Sequence, residues 1–206
     1  MGDNMGIVFV IFGYLSGSFP TGYLIGKLFG KDVRKEGYQK ISASNVHKVV
    51  SIWAALPVGV IDFLKGFLPV CIGKMVGIEL VYLEITGIAS VIGHNWPLYL
   101  GFKGGGRGIA TTFGMLVVLI PKISLLGGFL FLLLSLVIGS SPIPTIITFA
   151  GLPLISYLFK KPGSIILTLV FIFILLMFTR IAAGIPEIKR SKNPAKVFLR
   201  RLIYDR

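Results

Sequence analysis

Residues 109–138 read IATTFGMLVVLIPKISLLGGFLFLLLSLVI, and the number of membrane crossings made by this stretch decides the architecture. As one helix its 30 residues would reach about 45 Å at 1.5 Å per residue, while a bilayer core needs only about 20. Pro121 and Lys122 fall in its middle, and an interior proline deletes a backbone donor and crowds the preceding turn. The stretch alone leaves two readings open: one long tilted helix, or a short piece over 109–120 followed by a full one over 123–138.

Five more apolar segments flank it: Ile7–Phe29, Ile52–Met75, Leu80–Leu100, Pro142–Phe159 and Ser164–Thr179. The 206-residue chain is 54% hydrophobic and only 14% charged, against about 25% charged for a soluble domain. That excludes a water-soluble globular fold. Segment 7–29 lacks the basic start and the small-residue cleavage site of a signal peptide, so it reads as a retained helix.

Charge position separates six crossings from seven. The loop 27–48 carries a net +4, the turn 103–107 adds Lys103 and Arg107, and the tail 180–206 carries a net +6; together they hold nearly all of the chain's +13. Seven crossings put all three on one face, six put the tail opposite, and positive charge collects on the cytoplasmic side. The expectation is an all-α integral membrane protein of about seven transmembrane helices. One of them is short and broken, the N-terminus is outside and the C-terminus cytoplasmic. Residues 1–206 form one polytopic membrane domain, with a basic cytoplasmic tail from about 180 to 206. In that tail Asn193-Pro194 reads as a helix start, and Ala195–Tyr204 as either a basic surface helix or a frayed end.

With the basic residues on a membrane face, nucleic acid is not an expected partner; membrane lipids are. One cysteine, Cys71, and two histidines, His47 and His94, supply neither a disulfide framework nor a metal set.

Polar residues cluster at helix ends. The first group runs Gly17-Ser18-Phe19-Pro20-Thr21-Gly22-Tyr23, then Asp32-Val33-Arg34-Lys35-Glu36-Gly37 and Ser42-Ala43-Ser44-Asn45-Val46. Small residues in a membrane helix serve packing, but Arg34, Ser44 and Asn45 also offer donors to an anion. The second group, Gly93-His94-Asn95-Trp96-Pro97, leads to Lys103-Gly104-Gly105-Gly106-Arg107-Gly108 at the start of a helix. Consecutive glycines let backbone N–H groups converge on an anion, and the helix start adds partial positive charge. Phosphate is the natural ligand, although a tight turn carrying topogenic charge fits the same residues. It is not a Walker A loop. Asp62 and Lys65, three apart on one helix face, read equally as an ion pair and as a substrate contact. His94 reads as a general base or as a satisfied histidine at a helix end. Glu84, with no evident partner, reads as interfacial.

These residues together resemble the membrane-integral glycerol-3-phosphate acyltransferases that use acyl-phosphate, the PlsY family, over nearly the whole chain. The resemblance rests on Gly-Ser-x-Pro-x-Gly-Tyr-Leu-Ile-Gly at 17–26, Asp-x-Arg-Lys-x-Gly at 32–37, Ala-Ser-Asn-Val at 43–46, Asp-Phe-Leu-Lys-Gly at 62–66 and Gly-His-Asn-x-Pro at 93–97. Phe-Lys-Gly-Gly before Gly-Ile-Ala-Thr completes the second motif. Three places depart from the family. Its Ser-Gly-Asn is here Tyr38-Gln39-Lys40, with Ser42 for the next glycine; the glycine turn has one extra residue; and Leu176-Met177-Phe178-Thr179 replaces a His and Asn-Ile before Arg180. Gly184 and Glu187 of the last motif remain.

The resemblance implies a multi-pass protein of the cell (inner or plasma) membrane with its active site facing the cytoplasm and no cofactor. Its reaction is acyl transfer from acyl-phosphate to the sn-1 hydroxyl of glycerol-3-phosphate, giving lysophosphatidic acid for phospholipid biosynthesis. Ser18, Arg34, Ser44, Asn45 and His94 are then the expected catalytic residues. Lys103, Gly104, Gly105, Gly106, Arg107, Gly108 and Ser141 are expected to bind phosphate, and Asp62, Lys65, Arg180 and Glu187 to pair structurally. Two other readings stay open: a divergent member with altered or lost activity that binds a lipid or phosphate, and a small transporter or flippase.

Overall fold

The structure, a computed structural model, describes residues 3–182 together with 184, 185, 191, 193–195, 197 and 198. Among the described residues the chain is helical, without strands. The helices are α1 (Asp3–Ser18), α2 (Thr21–Leu28), α3 (Ala43–Val49), α4 (Ile52–Met75), α5 (Leu80–Asn95), α6 (Ile109–Leu119), α7 (Pro121–Ile138), α8 (Pro142–Leu158) and α9 (Gly163–Ala182), with a 3-10 turn at Leu98–Leu100. Four stretches are long and apolar enough to cross a bilayer: α1 with α2, α4, α7 and α9; α6 and α8 are shorter apolar helices.

Segment 109–138 takes the second of its two readings, for α6 stops at Leu119 and Pro121 opens α7. The fixed φ of proline suits a first helical turn. α4 keeps the bounds expected from sequence, α6, α7 and α8 lie within two residues of theirs, and three others shift further. The segment expected at 7–29 is broken between Ser18 and Thr21, because the residue before Pro20 is driven out of the α region. Trp96 stands before Pro97 in the same way, so α5 ends at Asn95 and not at Leu100. α9 runs from Gly163 to Ala182, longer at both ends than 164–179. α3 occupies what reads as loop; its 7 residues are too few for a helical period to register. The helix expected at 195–204 lies mostly outside the described residues, as does Glu187.

The helices gather into two compact units, Met1–Ile120 and Pro121–Arg206. In the first, α1 packs on α5, and α4 on α6. Lipid tails give no hydrophobic drive for helix association, so close backbone approach must. A Cβ on Gly17 would meet the Ser90 carbonyl, and one on Gly114 the Phe63 carbonyl. Polar side chains tie the same faces: Ser90 Oγ donates to Gly13 O at 3.0 Å and Thr111 Oγ1 to Asp62 O at 2.9 Å. In the second unit α8 packs against both α7 and α9. Phe149 and Leu152 of α8 are buried, and Ile165, Leu169 and Ile172 form the buried stripe of α9.

Candidate active site

The loop after α2 is organised by one amide. Asn45, in the first turn of α3, is fully buried. Its Nδ2 donates to the carbonyls of Val33 (2.7 Å), Lys40 (2.8 Å) and Glu36 (3.2 Å), and its Oδ1 accepts from the N–H of Tyr38 at 2.6 Å. A short polar side chain thus does for residues 33–40 what a helix or sheet would do elsewhere, satisfying backbone groups that have no regular partner. Beneath it Val33, Ile41 and Val46 join Ala54, Ala55 and Val58 of α4 in a small apolar core.

That loop presents Arg34 from a fixed base. Its Nε and Nη2 donate to the two oxygens of Asp32, each at 3.1 Å, and its guanidinium lies 4.2 Å over the Tyr23 ring. The hydrogen bonds from Arg34 hold the Asp32 carboxyl down to about 2, and the same bonds raise the Arg34 pKa. Arg34 remains about a third exposed, a cation held at one end and open at the other. Sequence reasoning gave no role to Asp32 or Tyr23. The acidic residue two before an arginine was the available signal.

The glycine turn docks on the end of α5. Gly106 N–H donates to His94 O at 3.1 Å, a Cβ on Gly105 would meet the Asn95 carbonyl, and one on Gly106 would meet the His94 imidazole. Gly104 (φ +71) and Gly108 (φ +76) take backbone angles that other residues adopt at a cost. A Cβ on Gly104 would stand 3.3 Å from Arg34 Cδ, so the two loops touch. Gly108 caps α6, whose N-terminus carries the partial positive charge of its unpaired N–H groups.

Behind this turn lie three buried ionisable side chains. Lys65 Nζ donates to Asp62 Oδ1 at 2.6 Å, and His94 Nδ1 stands 3.7 Å from the same oxygen. Glu84 is 4% exposed inside α5 and not at an interface. Between α1 and α4 runs a groove of about 490 Å³ lined by Phe12, Phe19, Leu64, Leu68 and Tyr99, with Ser16 and Lys65 in its wall.

The expected site residues fall into two sets. Arg34, Asn45, Lys103, the glycines 104–106 and 108, Arg107, His94, Asp62 and Lys65 all lie in the first unit. Ser18 joins them there: it donates to Tyr14 O at 2.8 Å, and a Cβ on Gly93 would stand 3.0 Å from its Oγ. Ser44 is exposed, with its hydroxyl 3.1 Å from that of Ser42, and Lys103 is exposed. Ser141 and Arg180 belong to the second unit. Ser141 precedes α8, where its carbonyl accepts from Thr145, and Arg180 is buried in the last turn of α9.

These features define an integral membrane protein, its described elements all helical, in which a basic loop and a glycine turn meet beside an apolar groove. Residues 7–191 match the family model described as glycerol-3-phosphate acyltransferase, and the chain belongs to that family. Glycerol-3-phosphate acyltransferase 4 of Dehalococcoides mccartyi is 34% identical over 163 residues, 79% of this chain and 88% of its own length. Glycerol-3-phosphate acyltransferase 2 of Moorella thermoacetica is 33% identical over 195 residues, 90% and 93% of the two chains. A crystal structure of PlsY (YgiH), an integral membrane glycerol 3-phosphate acyltransferase in its glycerol 3-phosphate form, matches with a TM-score of 0.80 at 32% identity, covering 90% of this chain and 91% of that one. The lysophosphatidic acid form matches at 0.78 and 28%, covering 95% and 99%.

Proposed function

We propose that the protein transfers a fatty acyl group from acyl-phosphate to the sn-1 hydroxyl of glycerol-3-phosphate, forming lysophosphatidic acid. The observation that carries this reading is the junction of Arg34 with Gly104, which lays the stem of a fixed arginine against a glycine turn at a helix start. Two phosphates need two cationic seats side by side. Lys103, Arg107 and the N–H groups of Gly104, Gly105 and Gly108 take the phosphate of glycerol-3-phosphate, the Gly106 N–H being held by His94 O. Arg34 and the Ser44 hydroxyl take that of the donor, and Asn45 positions their loop. Ser18 lines the pocket.

The chemistry then asks little of the protein. The sn-1 oxygen attacks the acyl carbon, the carbon–oxygen bond to phosphate breaks, and the hydroxyl proton leaves with the released phosphate. A mixed anhydride is already activated, so alignment and stabilisation of developing negative charge carry the rate. No acyl-enzyme is required, and His94 enters as a positioning group because its ring faces Asp62 and Gly106. The groove between α1 and α4 takes the acyl chain, its Tyr99 lying in the turn that leads to the glycines.

The membrane placement follows from charge. Seven crossings with the N-terminus outside gather the basic loop, the glycine turn and the tail at the cytoplasmic face, where their field attracts both anionic substrates. Impermeant thiol labelling of tail cysteines in a Cys71→Ser background on intact cells tests this; ready labelling refutes it.

The activity itself is tested with purified protein, radiolabelled glycerol-3-phosphate and palmitoyl-phosphate, with palmitoyl-CoA as control. Lysophosphatidic acid formed from palmitoyl-phosphate alone establishes donor and acceptor together. Failure with both donors, while phosphate still binds, leaves the ligand-binding reading that the altered residues 38–40 favour.

A further inference from the structure

Asp62 sits inside α4, yet it holds the glycine turn on both sides. Its carboxylate Oδ1 faces His94 Nδ1 at 3.7 Å, and His94 is the residue whose carbonyl accepts the Gly106 N–H and whose ring fills the space beside Gly106. Its backbone carbonyl accepts from Thr111 Oγ1 at 2.9 Å, in the first turn of α6, just beyond Gly108. One residue therefore touches the element that enters the turn and the element that leaves it. Lys65 fixes the carboxylate in turn, donating to the same Oδ1 at 2.6 Å. Asp62, Lys65 and His94 are each 4% exposed or less.

Burying such a pair is costly, and apolar residues of similar volume often replace buried pairs without loss of stability. Packing alone therefore does not explain its place here. Its geometry does: α4 and α6 already meet through Gly66 and Gly114, whereas the ring of His94 has no hydrogen-bonded partner at Nδ1 among the described residues and stands nearest the Asp62 charge. We infer that Asp62, clamped by Lys65, is a positioning residue that sets the glycine turn through His94 and so tunes affinity for the acceptor phosphate. This rests on the reading of 104–108 as that phosphate's seat. On this reading Asp62 acts through His94 and not on the substrate itself.

The test uses the full chain in detergent with three variants: Asp62→Asn, Lys65→Met and the double variant Asp62→Asn/Lys65→Met. Either single change strands or removes a buried charge and can cost folding. The double removes both charges and keeps the volume, so it carries the test. Steady-state kinetics with palmitoyl-phosphate and calorimetric titration with glycerol-3-phosphate are read side by side. The expected result for the double variant is a rise of at least tenfold in both KM and Kd for glycerol-3-phosphate, with KM for palmitoyl-phosphate changed less than threefold, the share due to Lys65 in the groove wall. A purely structural pair would instead shift both substrates together or neither, and either result overturns the inference. Wild type that binds glycerol-3-phosphate but forms no product overturns the acyl-transfer reading alone, and the Kd comparison still decides this one. Wild type that does not bind it overturns both.

Discussion

Arg34 and Gly104 are in contact across two loops: the arginine stem closes over the glycine so that an added Cβ would lie 3.3 Å from Cδ. Gly104 also has φ +71, where a side chain costs about 1–2 kcal/mol. Gly104→Ala is therefore expected to disturb both seats at once. The turn strains, and the methyl presses on the Arg34 stem. KM should rise several-fold for glycerol-3-phosphate and for acyl-phosphate alike, measured in separate titrations at saturating co-substrate. Gly59→Ala is the control, because its Cβ would meet only Ala43 Cβ at 3.8 Å.

The Arg34–Asp32 pair has a defined pH window. Asp32 titrates at about 2 in the folded protein against 3.8 ordinarily, chiefly through the Arg34 hydrogen bond. A depressed folded value means that the pair's contribution is fully present above about 4 and is lost as pH falls toward 2. Comparing thermal midpoints of wild type and Asp32→Asn across pH should show a constant difference from pH 8 down to about 4, closing below that. A difference that closes between pH 7 and 5 would contradict the pairing.

Asn45 carries four backbone partners, so its loss is felt as unsatisfied polar groups and not as lost packing. A buried donor or acceptor left unpaired costs about 1–3 kcal/mol. Asn45→Ala should therefore destabilise the protein by at least about 2 kcal/mol, read from unfolding in detergent. Asn45→Asp should fare no better: it keeps the acceptor for Tyr38 but aims a carboxylate oxygen at the carbonyls of Val33, Glu36 and Lys40.

What was legible in the sequence follows the physics that writes it there. Pro121 raised the α6–α7 division as one of two readings because proline acts locally, and the placement of the basic segments on one face decided it. Asp62 and Lys65 were visible as a pair because three residues make a helical neighbour. Hydropathy could not mark the break at Phe19–Pro20, since both flanks are equally apolar. Nor could it mark α3, which is held by tertiary contacts of Val46 and by the Asn45 amide. Asn45 itself reads from the sequence as an anion donor, while in the structure its amide bonds the loop, a use that depends on residues 33–40 folding back on it. The docking of His94 on Gly106 was likewise hidden, since nothing local ties α5 to the turn that follows.

Gln39 shows how a departure from the family pattern is absorbed. It stands where the family motif places glycine, and it adopts φ +56. The loop thus keeps the left-handed angle and meets its steric cost. Restoring the glycine by Gln39→Gly should stabilise the protein by about 1 kcal/mol, seen as a higher thermal midpoint, with KM for either substrate changed less than twofold. A lower midpoint would mean that the glutamine side chain itself contributes to the loop.

The groove between α1 and α4 gives a chain-length prediction. Its wall on α4 runs from Ile61 to Ile72, about 16 Å of helix, with Leu68 part-way along and its side chain 43% exposed toward the groove and lipid. A larger ring there would close the far end and leave the mouth at Phe19 and Tyr99 open. Each methylene kept out of apolar contact forfeits about 0.8 kcal/mol, roughly fourfold in affinity. Leu68→Trp should therefore raise KM for palmitoyl-phosphate at least tenfold, leave a short-chain donor such as octanoyl-phosphate nearly unchanged, and not alter KM for glycerol-3-phosphate. Equal loss for both donors would place the acyl chain elsewhere.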